Sequence, residues 1–261
     1  TQSRSSAGQM CIRDRYCMQL VETNLEDLNK ESSTIKFDTF SKFEKALQKR
    51  EKNKASGITR NEVRQFLERP AKYYVERGYS EEVLDEFDVG VCVNQTKQMR
   101  GRVVAPVYDD EFEFMVGCVG RIAHEDYNGR KWVNSKQFYA GAWLYGYWLS
   151  QNHIRKHRAA ILVEGQGDVW RLWEAGIKNV VGMFGSGLTD TQARILETSG
   201  AFTLILLTDN DEAGDKARQS IRKKCERIFN IVEIDLSTKD VGEMNIEQIN
   251  KELKPKLEGH I

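Results

Sequence analysis

The stretches Ile161-Leu162-Val163-Glu164-Gly165-Gln166-Gly167-Asp168 and Leu204-Ile205-Leu206-Leu207-Thr208-Asp209-Asn210-Asp211-Glu212-Ala213-Gly214 decide how this chain folds. Each opens with a short apolar run, the pattern of a strand buried on both faces, and stops at carboxylates and a glycine before a helical pattern begins. The acids therefore sit at strand ends. In a parallel sheet with crossover helices those ends line one edge, and ligands bind in the crevice outside it. Glu164, Asp168, Asp209 and Asp211 are expected to converge there, although 45 residues separate Glu164 from Asp209. Neither loop contains Lys or Arg. Clustered carboxylates repel one another and raise each other's pKa, and a divalent cation relieves that repulsion. Oxygen-only donors favour a hard ion, Mg²⁺ before Ca²⁺, with Mn²⁺ as a substitute. Taken singly, a Glu-Gly pair reads as a turn and Asp-x-Asp as a capped loop; together, at the ends of two strands of one series, they favour a metal site.

Outward from these stretches the pattern alternates: strand Ala159 to Val163, helix Asp168 to Ala175, strand Asn179 to Met183, helix Asp190 to Glu197, strand Thr203 to Leu207, helix Asp215 to Ile228, strand Asn230 to Ile234. This spacing predicts a mostly parallel sheet with right-handed crossovers. Gly185-Ser186-Gly187-Leu188-Thr189 leads into a helix capped by Thr189 with Gln192 three residues on. That is either a phosphate cradle of backbone N–H groups or an ordinary glycine turn. Beyond the last strand, Asp240 brings one more acid to a strand end, and Ile246 to Leu253 reads as a short amphipathic helix.

Toward the N-terminus, residues 1–16 show no periodicity and resemble translated sequencing-adapter read-through, so they are expected to be a non-native or disordered tail. Between Lys42 and Lys72, ten basic residues against four Glu leave +6, either a solvated linker or a nucleic-acid contact. Thr59-x-x-Glu62 is a capping-box signature for a helix that Pro70 closes. Ala71 to Val91 reads as helix, turn, helix with Ser80 as an N-cap. Met99 to Ser135 reads as antiparallel strands, Arg102 to Tyr108, Glu111 to Arg121 and a return through Lys131 to Asn134, with Asn128-Gly129 as a hairpin turn.

Composition sets the class. The 261 residues are 40% hydrophobic and 30% charged with three prolines, which describes a globular chain with room for one large or two modest domains. Net charge is zero, so any nucleic-acid contact must come from local charge. No apolar run approaches the roughly 20 residues that span a bilayer. Five cysteines without a CxxC pair suit a reducing cytoplasm and provide no zinc ribbon.

Glu164-Gly165 with Asp168, followed by Asp209-x-Asp211-x-Ala213-Gly214, resembles the Toprim domain shared by primases, topoisomerases and some nucleases. More of the chain, roughly Tyr73 to Met244, is similar to the DnaG-type primase catalytic core. The phrases that carry the likeness are Tyr73-x-x-x-Arg77-Gly78-x-Ser80 before Phe87-x-x-Gly90, Arg100-Gly101-Arg102-Val103-Val104-Ala105-Pro106-Val107, Val116-Gly117-x-x-Gly120-Arg121, Lys131-Trp132-Val133-Asn134-Ser135 and Leu144-Tyr145-Gly146. The resemblance implies an α/β fold, with an α+β subdomain at 59–157 after a basic region at 17–58, a Toprim Rossmann-like sheet at 158–245 and a C-terminal helix at 246–261. It implies synthesis of short RNA primers from ribonucleoside triphosphates on single-stranded DNA, in a bacterial cytoplasm or a phage-infected host, with a replicative helicase as a further partner. Asp209 and Asp211 are then the principal metal ligands and Glu164 a ligand or acid/base, with Asp168 and Asp240 supporting. Arg102, Arg121, Lys131 and Asn134 would meet template or nucleotide phosphate, as would the Gly185-Ser186 turn.

Two positions depart from the family. Ala140 stands where a lysine is expected, with Lys136 as a candidate replacement, and Gly242 stands where a second aspartate follows Asp240, with Glu243 beside it. The zinc-ribbon and helicase-binding modules of a whole primase are not recognised in this sequence, which looks like a short phage or mobile-element form or a fragment of one. A Toprim nuclease and a non-catalytic DNA- or helicase-binding module are the alternatives. The nuclease would not need the Arg102-to-Asn134 motifs, and a binding module gains nothing from clustered acids.

Overall fold

Two sheets, one antiparallel and one parallel, organise the computed structural model, which describes residues 57–94, 97–123 and 129–261 and a few positions between 44 and 51. All described here belongs to the compact unit Ala46–Ile261. The expectations for the tail at 1–16, for most of the basic region and for Asn128 lie outside the described residues.

The first sheet contains β1 (Ile58–Thr59), β2 (Leu67–Glu68), β3 (Gly90–Cys92), β4 (Val103–Tyr108), β5 (Phe114–Arg121) and β6 (Trp132–Asn134). Its order is β1-β5-β4-β3-β2, with β6 also paired to β5 and every pair antiparallel. The glycines of β5 make room: a Cβ on Gly117 would come within 2.2 Å of the Phe138 ring. Thr59 and Glu62 form the expected capping box of α1 (Arg60–Phe66). That helix does not run to Pro70. It stops at Phe66 because Leu67 and Glu68 leave extended, to pair with Cys92 and Val91. Two short helices follow, α2 (Lys72–Val75) and α3 (Glu81–Glu86), the second capped by the Ser80 hydroxyl oxygen, which accepts from the Val83 N–H. Just after α3, Asp88 is wholly buried. Its carboxylate accepts from Arg60 Nε at 2.7 Å, from the Tyr108 hydroxyl at 2.8 Å and from Arg64, so one carboxylate joins α1, the turn after α3 and β4.

The second sheet is β7 (Ala159–Val163), β8 (Val180–Gly182), β9 (Thr203–Leu206) and β10 (Asn230–Glu233), all parallel in the order β10-β9-β7-β8. The crossovers are α5 (Gln166–Glu174), α6 (Asp190–Ser199) and α7 (Glu212–Cys225), and α4 (Tyr147–His157) leads in. β7 is apolar throughout because both its faces are covered. Ala159, Ile161 and Val163 join the core shared with the antiparallel sheet, while Ala160 and Leu162 join a second core containing Ile154, Leu196 and Ile221. Tyr145, which precedes α4, exchanges two backbone hydrogen bonds with Gly182 of β8, at 2.8 and 3.0 Å, and so fastens one half of the core to the other. The C-terminal helical segment starts at Ile246 and continues in tighter and wider turns to Leu257.

Two crossover helices begin earlier than expected, α5 by two residues and α7 by three. In both cases an aspartate read as loop or as first helical residue is tied to the helix start. Asp168 is the third residue of α5, and its Oδ2 accepts from the Gly165 N–H at 3.0 Å. Asp211 is the N-cap of α7, and its Oδ1 accepts from Ala213 N–H and Gly214 N–H, each at 2.9 Å.

Candidate active site

From β7 the chain crosses to β8 on one side and then returns to β9 on the other, so the strand order reverses between β7 and β9. That switch point is where an open parallel sheet leaves a crevice. Glu164 leaves the end of β7 and Asp209 lies just past β9, and Glu164 Oε1 accepts from the Asp209 N–H at 3.3 Å. Asp240 arrives from the loop after β10, which is held to the β9 loop by Asn210 N–H donating to the Lys239 carbonyl at 2.6 Å. Glu164, Asp168, Asp209 and Asp240 thus share a cleft of 390 Å³, whose opposite wall carries Trp132 and Asn134 of β6.

The electrostatics follow from burial and crowding. Burial, then Glu164, then Asp240 push the Asp209 carboxyl up to about 6, against the pull of Lys239. Glu164 is also raised, first by burial, although the Asp209 N–H and Arg218 oppose the shift. Asp168 is pushed up to about 7 by burial and by Asp240. Two cations thus temper the acids. Neither belongs to the two defining loops: Lys239 sits beside Asp240, and Arg218 reaches in from α7, donating to the Thr208 hydroxyl at 2.8 Å. Sequence reading missed Arg218, one helical turn beyond Gly214.

The acids are not equivalent. Asp168 is buried, and besides Gly165 its Oδ1 accepts from the Gly242 N–H at 2.8 Å, so it clamps the β7 loop to the β10 loop. Asp240 caps a short turn through the Glu243 N–H at 2.9 Å. Asp211 is exposed at the rim and does not line the cleft, although its charge reaches both Glu164 and Asp209. Among the described residues no three carboxylate, imidazole or thiol groups close around a metal position. Repulsion holds ionised acids apart, and backbone N–H groups occupy Asp168 and Asp211. The donor set still fits a hard divalent cation: every donor is oxygen, and two carboxyls lie far above their ordinary range, first through burial and then through the charge of their acidic neighbours.

The basic candidates separate. Arg121 lies in a second cleft of 620 Å³, which shares Trp132, Gly167, Asp168 and Asp240 with the first. Its guanidinium stacks 5.2 Å from the Tyr73 ring centre and 5.3 Å from that of Trp132. Arg102 is buried instead, donating to the carbonyls of Arg130 and Lys131 at 3.3 and 3.1 Å, where it secures β6. Lys131 is exposed and lines neither cleft, whereas Asn134 lines the acidic one. Gly185 lines the acidic cleft and Ser186 does not, while the Thr189 and Gln192 capping box is present. Lys136 does not take the place of the lysine missing at Ala140. It lines a separate, largely apolar cavity with Cys92, Met99 and Cys118, because its strand exit turns toward Gln98.

Residues 158–233 match the Toprim domain family. That segment is similar to a Toprim domain. The match covers β7 through β10 and ends before Asp240. Curated relatives extend the likeness: the DNA primase of Aquifex aeolicus is 39% identical over 124 residues, 46% of this chain and 24% of that protein. The DNA primase of Halalkalibacterium halodurans is 36% identical over 123 residues, 46% of this chain and 20% of that protein. The chain therefore spans about a quarter or less of the length of these relatives. Among solved structures, the zinc-binding and RNA polymerase domains of the Aquifex aeolicus primase superpose with a TM-score of 0.61 at 27% identity, over 76% of this chain and 58% of that one. The DnaG primase catalytic domain bound to single-stranded DNA gives 0.58 at 22% identity, over 84% and 79%. The Toprim-like segment thus sits in an α/β fold similar to that of DnaG catalytic cores, and no described helix is long and apolar enough to cross a membrane.

One glycine holds the Toprim loop in place. Gly214, in the first turn of α7, packs so closely that a Cβ would lie 1.9 Å from the Asp209 carbonyl oxygen. Gly214→Ala is expected to cost at least about 1–3 kcal/mol and to displace Asp209. Urea unfolding together with divalent-ion titration measures both effects, and a variant unchanged in each would show that the loop yields freely.

Proposed function

We propose that this chain is the catalytic core of a DNA primase, joining ribonucleotides on a single-stranded DNA template. The observation that carries this reading is the Glu164–Asp209 pair at the switch point of the parallel sheet, facing the β6 wall of the antiparallel sheet across one cleft. Likeness to DNA primases in sequence and to DnaG cores in fold supports it.

In this reading Glu164 and Asp209 hold Mg²⁺, or Mn²⁺ in its place, with Asp240 beside them and Asp211 joining from the rim. Held there, such an ion would supply positive charge against the charge that develops on a nucleotide phosphate in an in-line displacement. The 3′-hydroxyl of one ribonucleotide attacks the α-phosphorus of the next, the new P–O bond forms as the bond to pyrophosphate breaks, and the hydroxyl proton leaves. Glu164, partly buried and raised in pKa, is suited to take that proton. Asp168 keeps the two acidic loops together, and Arg121 and Asn134 meet nucleotide or template from the opposite wall.

The test is ribonucleotide incorporation on single-stranded DNA with Mg²⁺ or Mn²⁺, comparing the chain with an Asp209→Ala, Asp211→Ala double variant. Metal-dependent short RNA made only by the unmodified chain is the expected result. Metal-dependent degradation of the DNA without synthesis would point to a nuclease instead.

A pH dependence accompanies this reading. Asp168 and Asp209 titrate near 7 and 6, above their ordinary 3.8, so protons compete with the cation below neutrality. Divalent-ion affinity should fall steeply as pH drops from about 7.5 to 5.5, as isothermal titration would measure. A flat profile would remove Asp209 from the metal site.

A further inference from the structure

β6 presents its side chains in alternation, so Trp132 and Asn134 emerge on the same side, and both line the acidic cleft. Trp132 stands opposite Arg121 on β5 in the antiparallel register. It is 39% exposed, and among the described residues the Arg121 guanidinium is its one ring contact. An indole left open to solvent in the wall of the acidic cleft contributes little to the core. An unfilled flat ring of this kind stacks on other flat π-systems, and stacking suits any nucleobase because every base has a π-face.

The rest of the cleft supplies what the other parts of a nucleotide need. The carboxylates Glu164 and Asp209, with the cation they fit, stand on one wall, and the Asn134 amide, which both donates and accepts, stands beside Trp132 on the other. The 390 Å³ volume lies within the usual range for a small-molecule site, roughly 300–1,000 Å³. We propose that Trp132 is the platform on which the base of a bound ribonucleoside triphosphate stacks, with Asn134 at the sugar or base edge and the phosphates directed to Glu164 and Asp209. This rests on the nucleotidyl-transfer reading. Trp132 is a positioning residue: it holds the base, and the acids act on the phosphates. The Arg121 cation on the ring adds a cation–π contact that keeps the indole in place.

The experiment measures binding of ATP, inorganic tripolyphosphate and a single-stranded oligodeoxynucleotide, each with Mg²⁺, to the unmodified chain and to Trp132→Phe, Trp132→Leu and Trp132→Ala. ATP affinity should fall roughly 5- to 150-fold in the Ala and Leu variants and be largely retained in Phe. Tripolyphosphate, which has no base, should bind all four alike, and in primer synthesis KM for the nucleotide should rise while kcat holds. Equal weakening of tripolyphosphate would mean that Trp132 only shapes the cleft, and would overturn the proposal. Loss of oligonucleotide affinity with ATP unaffected would assign the ring to a template base, and would also overturn it. Undiminished ATP binding in Trp132→Ala would overturn the platform while leaving the primase reading intact. No nucleotide binding by the unmodified chain would overturn both.

Discussion

Asp209→Asn should abolish measurable primer synthesis, a loss of roughly 10²–10³-fold or more, while making the metal-free protein more stable. The two effects have one cause. The folded-state pKa of Asp209, about 6, lies above its ordinary 3.8. The folded chain therefore holds its proton more tightly than the unfolded chain does, and stability drains away as pH rises from about 4 through 6. Above that window the ionised carboxylate opposes folding, and the neutral amide removes the opposition. The group is partly open to solvent, so the gain is modest, on the order of 1 kcal/mol. Urea unfolding without divalent ions at pH 8 and at pH 4.5 measures it: the variant should exceed the unmodified chain at pH 8 and match it at pH 4.5. Lost synthesis with lost stability would mean that Asp209 is structural, and retained synthesis would remove it from the chemistry.

Asp88→Ala should be among the most damaging substitutions far from the cleft. Its carboxylate is fully buried and answers two arginines and a tyrosine hydroxyl. Removing it strands Arg60 and the Tyr108 hydroxyl without their acceptor and leaves Arg64 only Asp85, and breaking a buried charge network costs about 3–5 kcal/mol. For a chain of this length that corresponds to a fall in Tm of roughly 6–20 °C. Calorimetry measures it, and a shift under about 3 °C would show that water or neighbouring groups replace the carboxylate readily.

The acidic cleft was legible because a strand buried on both faces leaves an unbroken apolar run, and Glu164 and Asp209 stand where two such runs stop. The helix starts were less legible. Asp168 reads as a first helical residue and Asp211 as loop, yet both bind the backbone N–H groups that open α5 and α7. The antiparallel half hid more, because its burial depends on pairings distant in sequence. Arg102 is expected to meet phosphate, and only the fold-back of β6 brings two carbonyls to it instead. Nothing local to Asp88 announces that Arg60, Arg64 and Tyr108 meet there. Lys136 was the nearest cation to the missing lysine in sequence, but sequence proximity at a strand exit does not decide which face of a sheet a side chain joins.

The shared core sets a limit on modularity. One face of β7, with Trp170 and Leu172 of α5, is buried against Phe87, Tyr145 and Trp148, which precede the Toprim segment. Cut free at residue 158, that segment would keep the acids Glu164 and Asp209 but expose an apolar sheet face and lose the backbone seam along β8. Transplanting it into another enzyme therefore means supplying a cover of matching aromatic shape. The natural unit of exchange in this chain is larger than the segment that carries the acids.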